Sequence, residues 1–238
     1  MKDGLSGKVA VITGGSGAIG AAVLRAFQDE GATAISFDIA PGAGHPWIAC
    51  DVRSDESVAD AIRKVKEQYD RIDIAIHAAG ISRDAVVWKL SVDDWDAVQQ
   101  VNLRGAFLLT RHVVPLMRAN QGGSIVFIGS INGSRGKFGA AAYSASKAGL
   151  LGFAKSLARE TGKFGVRVNV IEPGWVRTPL TEAVREEVRN RALAESLVGS
   201  FVEPSDIASV AVFLCSNVAQ RITGQVLRVD GGQFLGPT

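Results

Sequence analysis

Cysteine is scarce in this chain, with Cys50 and Cys215 the only two in 238 residues. They lie far apart in apolar surroundings and have no CxxC partner, which excludes a disulfide framework and leaves two buried free thiols in a reducing cytoplasm. Histidine is scarce as well. His45, His77 and His112 form no HxxxH or HExxH pair, so no metal site is expected. Charge of one sign is also missing. The 26 basic and 24 acidic residues leave a formal +2, and no Lys/Arg run stands out, so binding to nucleic acid through a basic stripe is not supported. No apolar stretch approaches the ~20 residues of a bilayer span. Met1–Lys8 has no apolar centre and does not read as a signal peptide. Internal repeats and low-complexity segments are absent.

What is present is a rhythm. Val9–Ile12, Ala34–Phe37, Ile72–His77, Ser124–Ile128, Arg167–Ile171 and Leu227–Val229 read as buried strands, and a short one ends at Cys50-Asp51-Val52. Helical patterns separate them, as at Ala18–Glu30 and at Ser54–Tyr69, where Val58, Ile62 and Val65 share a face. Strand–helix alternation predicts an α/β fold, a single domain over 1–238 with a doubly wound parallel sheet and helices on both faces. Thr178–Glu203 is charged, is punctuated by Pro179 and Pro204, and reads as a helical excursion outside the core.

Directly after the first strand, Thr13-Gly14-Gly15-Ser16-Gly17-Ala18-Ile19-Gly20 contains GxGxxG and opens a helix. Glycines let the backbone turn tightly and approach phosphate oxygens, and the helix start supplies free N–H groups. In this context the turn is read as a dinucleotide site using Gly14, Ser16, Gly17, Ala18, Ile19 and Gly20. Asp38 follows the second strand, eighteen residues after Gly20, where a carboxylate can accept both hydroxyls of the adenosine ribose. It would repel a 2′-phosphate, and neither Ile39 nor Ala40 could neutralise one, so NAD(H) is favoured over NADP(H). Asp51 is read either as an adenine contact or as the cap of the following helix.

At Tyr143-Ser144-Ala145-Ser146-Lys147 a phenol and an amine sit one helical turn apart, with Ser130 thirteen positions upstream of Tyr143 and Asn102 earlier still. A free phenol has a pKa of about 10. A cation on the same helix face is expected to lower it, making Tyr143 an acid/base for a carbonyl oxygen. Ser130 would donate a hydrogen bond to that oxygen.

With the glycine turn, Asp51-Val52, Ala78-Ala79-Gly80, Pro173-Gly174 with Thr178, and Ile222-Thr223-Gly224-Gln225 ahead of Asp230-Gly231-Gly232, this set resembles the short-chain dehydrogenase/reductase family along nearly the whole chain. The resemblance implies that Asn102, Ser130, Tyr143 and Lys147 are catalytic, with Asn102 helping to hold a water chain to Lys147. It also implies that Tyr143, Lys147, Asp51, Val52, Ala79, Gly80, Pro173, Gly174, Val176 and Thr178 belong to the cofactor site. Val176 would offer backbone groups to the nicotinamide carboxamide and Thr178 a hydroxyl. Lys147 would also hold the nicotinamide ribose.

Gly80–Ala85 and Trp95–Leu103 look most like 3-oxoacyl-thioester reductases, acting on coenzyme A or acyl-carrier-protein thioesters. A secondary-alcohol, 3-hydroxyacyl or polyol dehydrogenase is the alternative, and an NAD(H)-binding sensor the non-enzymatic one. An acidic carrier protein would need a basic patch, for which Arg83, Lys89, Lys137, Arg177, Arg185 and Arg189 are candidates; a solvated mixture of charges is the plain reading. Residues 179–203 are expected to cover the substrate and to be the most mobile part, with Val184, Val188 and Leu193 as an apolar face. The resemblance further implies a homo-oligomer, dimer or tetramer, built on helices near Asn102–Met117 and Ala142–Glu160. Two departures stand out. Ala18 replaces a family glycine, leaving the angles of the turn open, and His77 replaces a sheet-stabilising asparagine and is read as structural.

Overall fold

Val9–Thr13 (β1) is a strand because its short run of apolar and β-branched side chains is buried on both faces. Its alternate residues feed two different cores. Val9 and Val11 join Val58, Val65, Leu109, Met117 and Leu150, while Ala10 and Ile12 join Val23, Phe27, Ile207 and Leu214. The same alternation repeats in each inner strand, so the sheet is sandwiched between two helical layers.

The computed structural model describes residues 4–42 and 44–236, so the first three residues of the Met1–Lys8 reading lie outside it. After β1 come α1 (Ala18–Asp29), β2 (Thr33–Asp38), β3 (Trp47–Ala49), α2 (Asp55–Tyr69), β4 (Ile74–His77) and α3 (Val92–Gln99). A π-helical turn, Gln100–Arg104, runs straight into α4 (Gly105–Ala119). Then follow β5 (Gly123–Ile128), α5 (Ile131–Arg135), α6 (Ala141–Thr161), β6 (Val166–Pro173), α7 (Pro179–Glu182), α8 (Glu186–Ala194), α9 (Pro204–Cys215) and β7 (Val226–Val229). The third strand stops at Ala49, short of the expected Cys50–Val52.

Seven strands form one sheet in the order β3-β2-β1-β4-β5-β6-β7, and every pairing is parallel. The winding reverses between β1 and β4, and in such sheets the crevice beyond the strand C-termini at that point takes the ligand. Both cysteines are buried and free, and burial pushes their thiols up to about 11 for Cys50 and about 12 for Cys215, so neither is a ready nucleophile. Among the described residues no helix is long and apolar enough to cross a membrane.

Candidate active site

The glycine turn leaves β1 at the reversal point. Gly14 carries the positive φ the turn needs, +70°, and a Cβ there would lie 2.6 Å from the Ala79 amide nitrogen. No other residue type fits between the two strand ends. Gly17 is the N-cap of α1 with ordinary extended angles, and Ala18 is the first helical residue. The glycine missing at position 18 therefore costs the turn nothing. Thr13 completes the floor: its Oγ1 accepts the Ala79 N–H at 3.2 Å and meets His77 Nδ1 at 2.9 Å.

Asp38, at the tip of β2, lies across the opening of this turn. Its Oδ2 accepts the Ser16 amide at 3.0 Å and the Ser16 hydroxyl at 2.6 Å, while Oδ1 has only the Ala40 amide, at 3.5 Å. A carboxylate fixed by one oxygen with the other nearly free suits a ribose diol, and its neighbour Ile39 is exposed and apolar. The residues present thus fit an adenine dinucleotide, with the free N–H groups of the α1 start for the pyrophosphate. Asp51 does not cap the following helix. Arg53 engages both of its oxygens (2.7–3.1 Å) and holds its carboxyl below the usual range, and Ser54 caps α2 instead, accepting from Ser57 N at 3.2 Å. Val52 packs its side chain under α4, against Gly105.

Ser130 ends the run from β5 and caps α5, its Oγ accepting the Asn132 amide at 3.2 Å. Tyr143 and Lys147 stand on α6. Gly133, which the sequence reading passed over, allows α5 and α6 to meet here: a Cβ on it would fall 2.8 Å from the Lys147 carbonyl carbon. Ser130 reaches the Tyr143 hydroxyl and favours its ionised form through a hydrogen bond, but burial acts more strongly in the other direction and Asp84 adds to it, so the phenol sits above its ordinary value. This reverses the expected direction. Lys147 is buried, donates from Nζ to the Ile128 carbonyl at 2.7 Å and lies 5.6 Å from the Tyr143 ring centre, and burial brings its ammonium down to about 8. Its hydrogen bond goes to a strand carbonyl, and desolvation governs the phenol.

Asn102 is fully buried in the π-helical turn. Its Oδ1 accepts the Ile81 amide at 2.8 Å, and its Nδ2 donates to the Ile81 carbonyl at 3.0 Å and to Ser146 Oγ at 2.9 Å. The side chain is a clamp between the Gly80 loop and α6. Gly80 is held so close that a Cβ would stand 3.4 Å from both Asn102 Oδ1 and Lys147 Nζ. His77 is buried and uncharged, pushed down to about 3 chiefly by burial, as its structural reading requires.

Beyond β6, Gly174 donates to the Val229 carbonyl at 3.0 Å and Val176 bridges Val202, so the turn after Pro173 is anchored on both sides. Thr178 caps α7, accepting the Thr181 amide at 3.3 Å, a role the sequence reading did not assign. Trp175 stacks on Phe201, ring centres 5.9 Å apart. The excursion folds as α7 and α8, with Val184, Val188 and Leu193 partly buried; the side chain of Leu180 lies outside the described residues. Of the basic candidates, Arg83 faces Asp94 (3.5 Å), Lys137 faces Asp84 (3.6 Å) and Arg177 faces Glu203 (2.8 Å), so this rim is a mixture of charges.

A family profile described as Enoyl-(Acyl carrier protein) reductase matches residues 15–233. The 3-oxoacyl-[acyl-carrier-protein] reductase FabG of Thermotoga maritima is 39% identical, over 96% of this chain and 98% of that protein. The acetoacetyl-CoA reductase of Shinella zoogloeoides is 41% identical, over 95% and 98%. Among solved structures, a short-chain type dehydrogenase/reductase from Mycobacterium ulcerans superimposes with a TM-score of 0.94 at 27% identity, covering 98% of this chain and 92% of that one. A likeness that runs along nearly the whole chain, on the same doubly wound scaffold, places this chain in the short-chain dehydrogenase/reductase family of oxidoreductases.

Proposed function

We propose that the chain reduces the 3-oxo group of short acyl thioesters with NADH, using Ser130 and Tyr143 on the carbonyl oxygen. The observation that carries the reading is that α5 and α6, packed together at Gly133, bring Ser130 and Tyr143 to one end of the sheet beside the buried Lys147, whose Nζ lies 5.6 Å from the Tyr143 ring centre. When bound, the dinucleotide supplies the hydride. The chain's own work is on the proton. Ser130 donates to the carbonyl oxygen and stabilises charge as it develops there. Tyr143, its phenol raised and so protonated at neutral pH, delivers the proton to the same oxygen. Lys147 keeps a positive charge below about pH 8 and favours the phenolate left behind. Asn102 holds the Gly80 loop against α6 and so fixes the distance between turn and tyrosine.

The similarity to 3-oxoacyl and acetoacetyl-thioester reductases supports the substrate class. Asp38, with one oxygen nearly free and no cation at Ile39 or Ala40, supports NADH. Three of the six basic candidates, Arg83, Lys137 and Arg177, are already ion-paired, so a coenzyme A thioester is the first probe and acyl carrier protein the second.

The test is dinucleotide consumption with acetoacetyl-CoA, crotonyl-CoA and acetoacetyl-carrier protein, each with NADH and NADPH. The expected result is oxidation of NADH by the 3-oxo substrates and none by the enoyl one, with Asp38→Ala eroding the preference for NADH. Turnover only in the oxidative direction, with 3-hydroxyacyl-CoA, secondary alcohols or polyols, would make the chain a dehydrogenase. Tight NADH binding without any turnover would make it a sensor.

A further inference from the structure

Gln233 lies three residues beyond Asp230, outside every motif discussed above, and is 3% exposed. Its side-chain oxygen accepts the Trp175 amide at 2.8 Å, and its side-chain nitrogen donates to Glu195 Oε2 at 3.0 Å. Its own carbonyl accepts from Arg135 Nη1 at 3.2 Å, and Arg135 Nη2 closes the ring on Glu195 at 2.9 Å. Each partner belongs to a different wall of the site. Trp175 stands in the anchored turn after Pro173, Glu195 ends α8 of the excursion, and Arg135 ends the short helix that Ser130 caps.

We infer that Gln233 is a positioning residue that sets the turn after Pro173, the far end of the excursion and the serine helix at fixed distances from one another. A planar amide is needed for this, because one atom must accept from a backbone N–H while the other donates to a carboxylate. Leucine in its place leaves the Trp175 amide without its partner and the partly buried Glu195 carboxylate with Arg135 alone. The fit is close, since a Cβ on Gly174 would lie 2.8 Å from the Gln233 side-chain oxygen. The inference rests on the reading that Gly174–Thr178 holds the nicotinamide end and that Ser130 acts on the carbonyl.

The experiment measures NADH affinity by fluorescence titration, together with kcat and KM for acetoacetyl-CoA, in Gln233→Leu, Gln233→Glu and the double variant Gln233→Glu/Glu195→Gln. The leucine variant should weaken NADH binding and raise the KM for the thioester, each by about tenfold. Gln233→Glu sets two carboxylates against each other and should do as much. The double variant exchanges amide and carboxylate across the same bond and should recover to within about threefold of the parent. A residue that merely fills space would lower the melting temperature without that recovery. NADH affinity and KM unchanged in Gln233→Leu, or no recovery in the double variant, would overturn the inference. Should Gln233→Leu fail to fold, the single and double glutamate variants decide alone. If the parent binds NADH but reduces nothing, the functional reading fails while the titration still judges Gln233.

Discussion

Tyr143 is a better proton donor than proton acceptor in this fold. Burial is the largest influence on its hydroxyl and raises the pKa, and the hydrogen bond from Ser130 only partly offsets it. A donor that stays protonated at neutral pH serves reduction, whereas the reverse reaction needs the phenolate. Reduction of acetoacetyl-CoA is therefore expected to vary little between pH 6 and 8. Oxidation of the 3-hydroxy product should climb with pH, approaching tenfold per unit while the phenol remains mostly protonated. Tyr143→Phe removes the proton and should lower turnover about 100-fold or more with NADH affinity nearly unchanged, because the nucleotide turn and Asp38 are untouched. Stopped-flow and steady-state rates on the variant check this, and a loss of less than tenfold would remove Tyr143 from the acid role. Lys147 follows the same logic. Its folded pKa of about 8 lies below the ordinary value of a lysine ammonium, about 10.4, so between those values the folded state holds fewer protons than the unfolded one. This group's contribution to stability therefore rises as pH climbs through that window and is unfavourable below it. The fold carries a buried ammonium at neutral pH at some cost, and the Ile128 carbonyl is what it has in return.

The helix pair α5 and α6 translates that chemistry into geometry. Ser130 caps one and Tyr143 rides the other, so their separation depends on how closely the two helices approach, and Gly133 sets that approach. Gly133→Ala places a methyl group against the backbone of Lys147 and Ala148. It should destabilise the fold by about 1–3 kcal/mol and lower kcat more than it raises KM, because the serine moves relative to the tyrosine. Urea unfolding with parallel kinetics measures both, and an alanine variant of parental stability and rate would show that the contact yields freely. The elements themselves were legible in the sequence wherever packing follows period: the inner strands are apolar runs, and α2 shows its buried face in Val58, Ile62 and Val65. The glycine turn and the Tyr143–Lys147 spacing were legible because each is local. What escaped the reading was decided by competition or by distance. The cap of α2 goes to Ser54 and not to Asp51, Thr178 also caps α7, and desolvation outweighs the cation at the phenol. Gln233 touches partners 38, 58 and 98 residues away in sequence, and no spacing rule could announce that.

At the scale of the whole molecule, an apolar face lies open on α4 and α6. The π-helical turn and α4 present Leu103 and Phe107 one turn apart, and α6 presents Gly149 and Phe153 beside them. Phe107 is 44% exposed yet sits edge-on to Phe153, ring centres 6.5 Å apart. Ala145 and Ala148 are exposed on the same helix, so the surface is smooth as well as apolar. Gln99 and Arg104 complete the lining of this depression, and none of the residues placed in the reaction is among them. Two long helices with small residues and projecting phenylalanines suit a two-fold contact, in which each copy's helices would lie against those of the other. We therefore expect the protein to sediment at two or four times its 25.0 kDa chain mass. Phe107→Glu would replace the ring with a carboxylate in that contact, and desolvating a charge there opposes association. The variant should shift toward single chains at micromolar concentration while the isolated fold, in which Phe107 is already half open to water, keeps its far-ultraviolet dichroism. Because α6 also carries Tyr143 and Lys147, separation should lower thioester turnover as well, and activity should return with rising protein concentration in a mildly weakened Phe107→Ala variant. A parent that sediments as single chains, or a glutamate variant that stays assembled, would place the interface elsewhere.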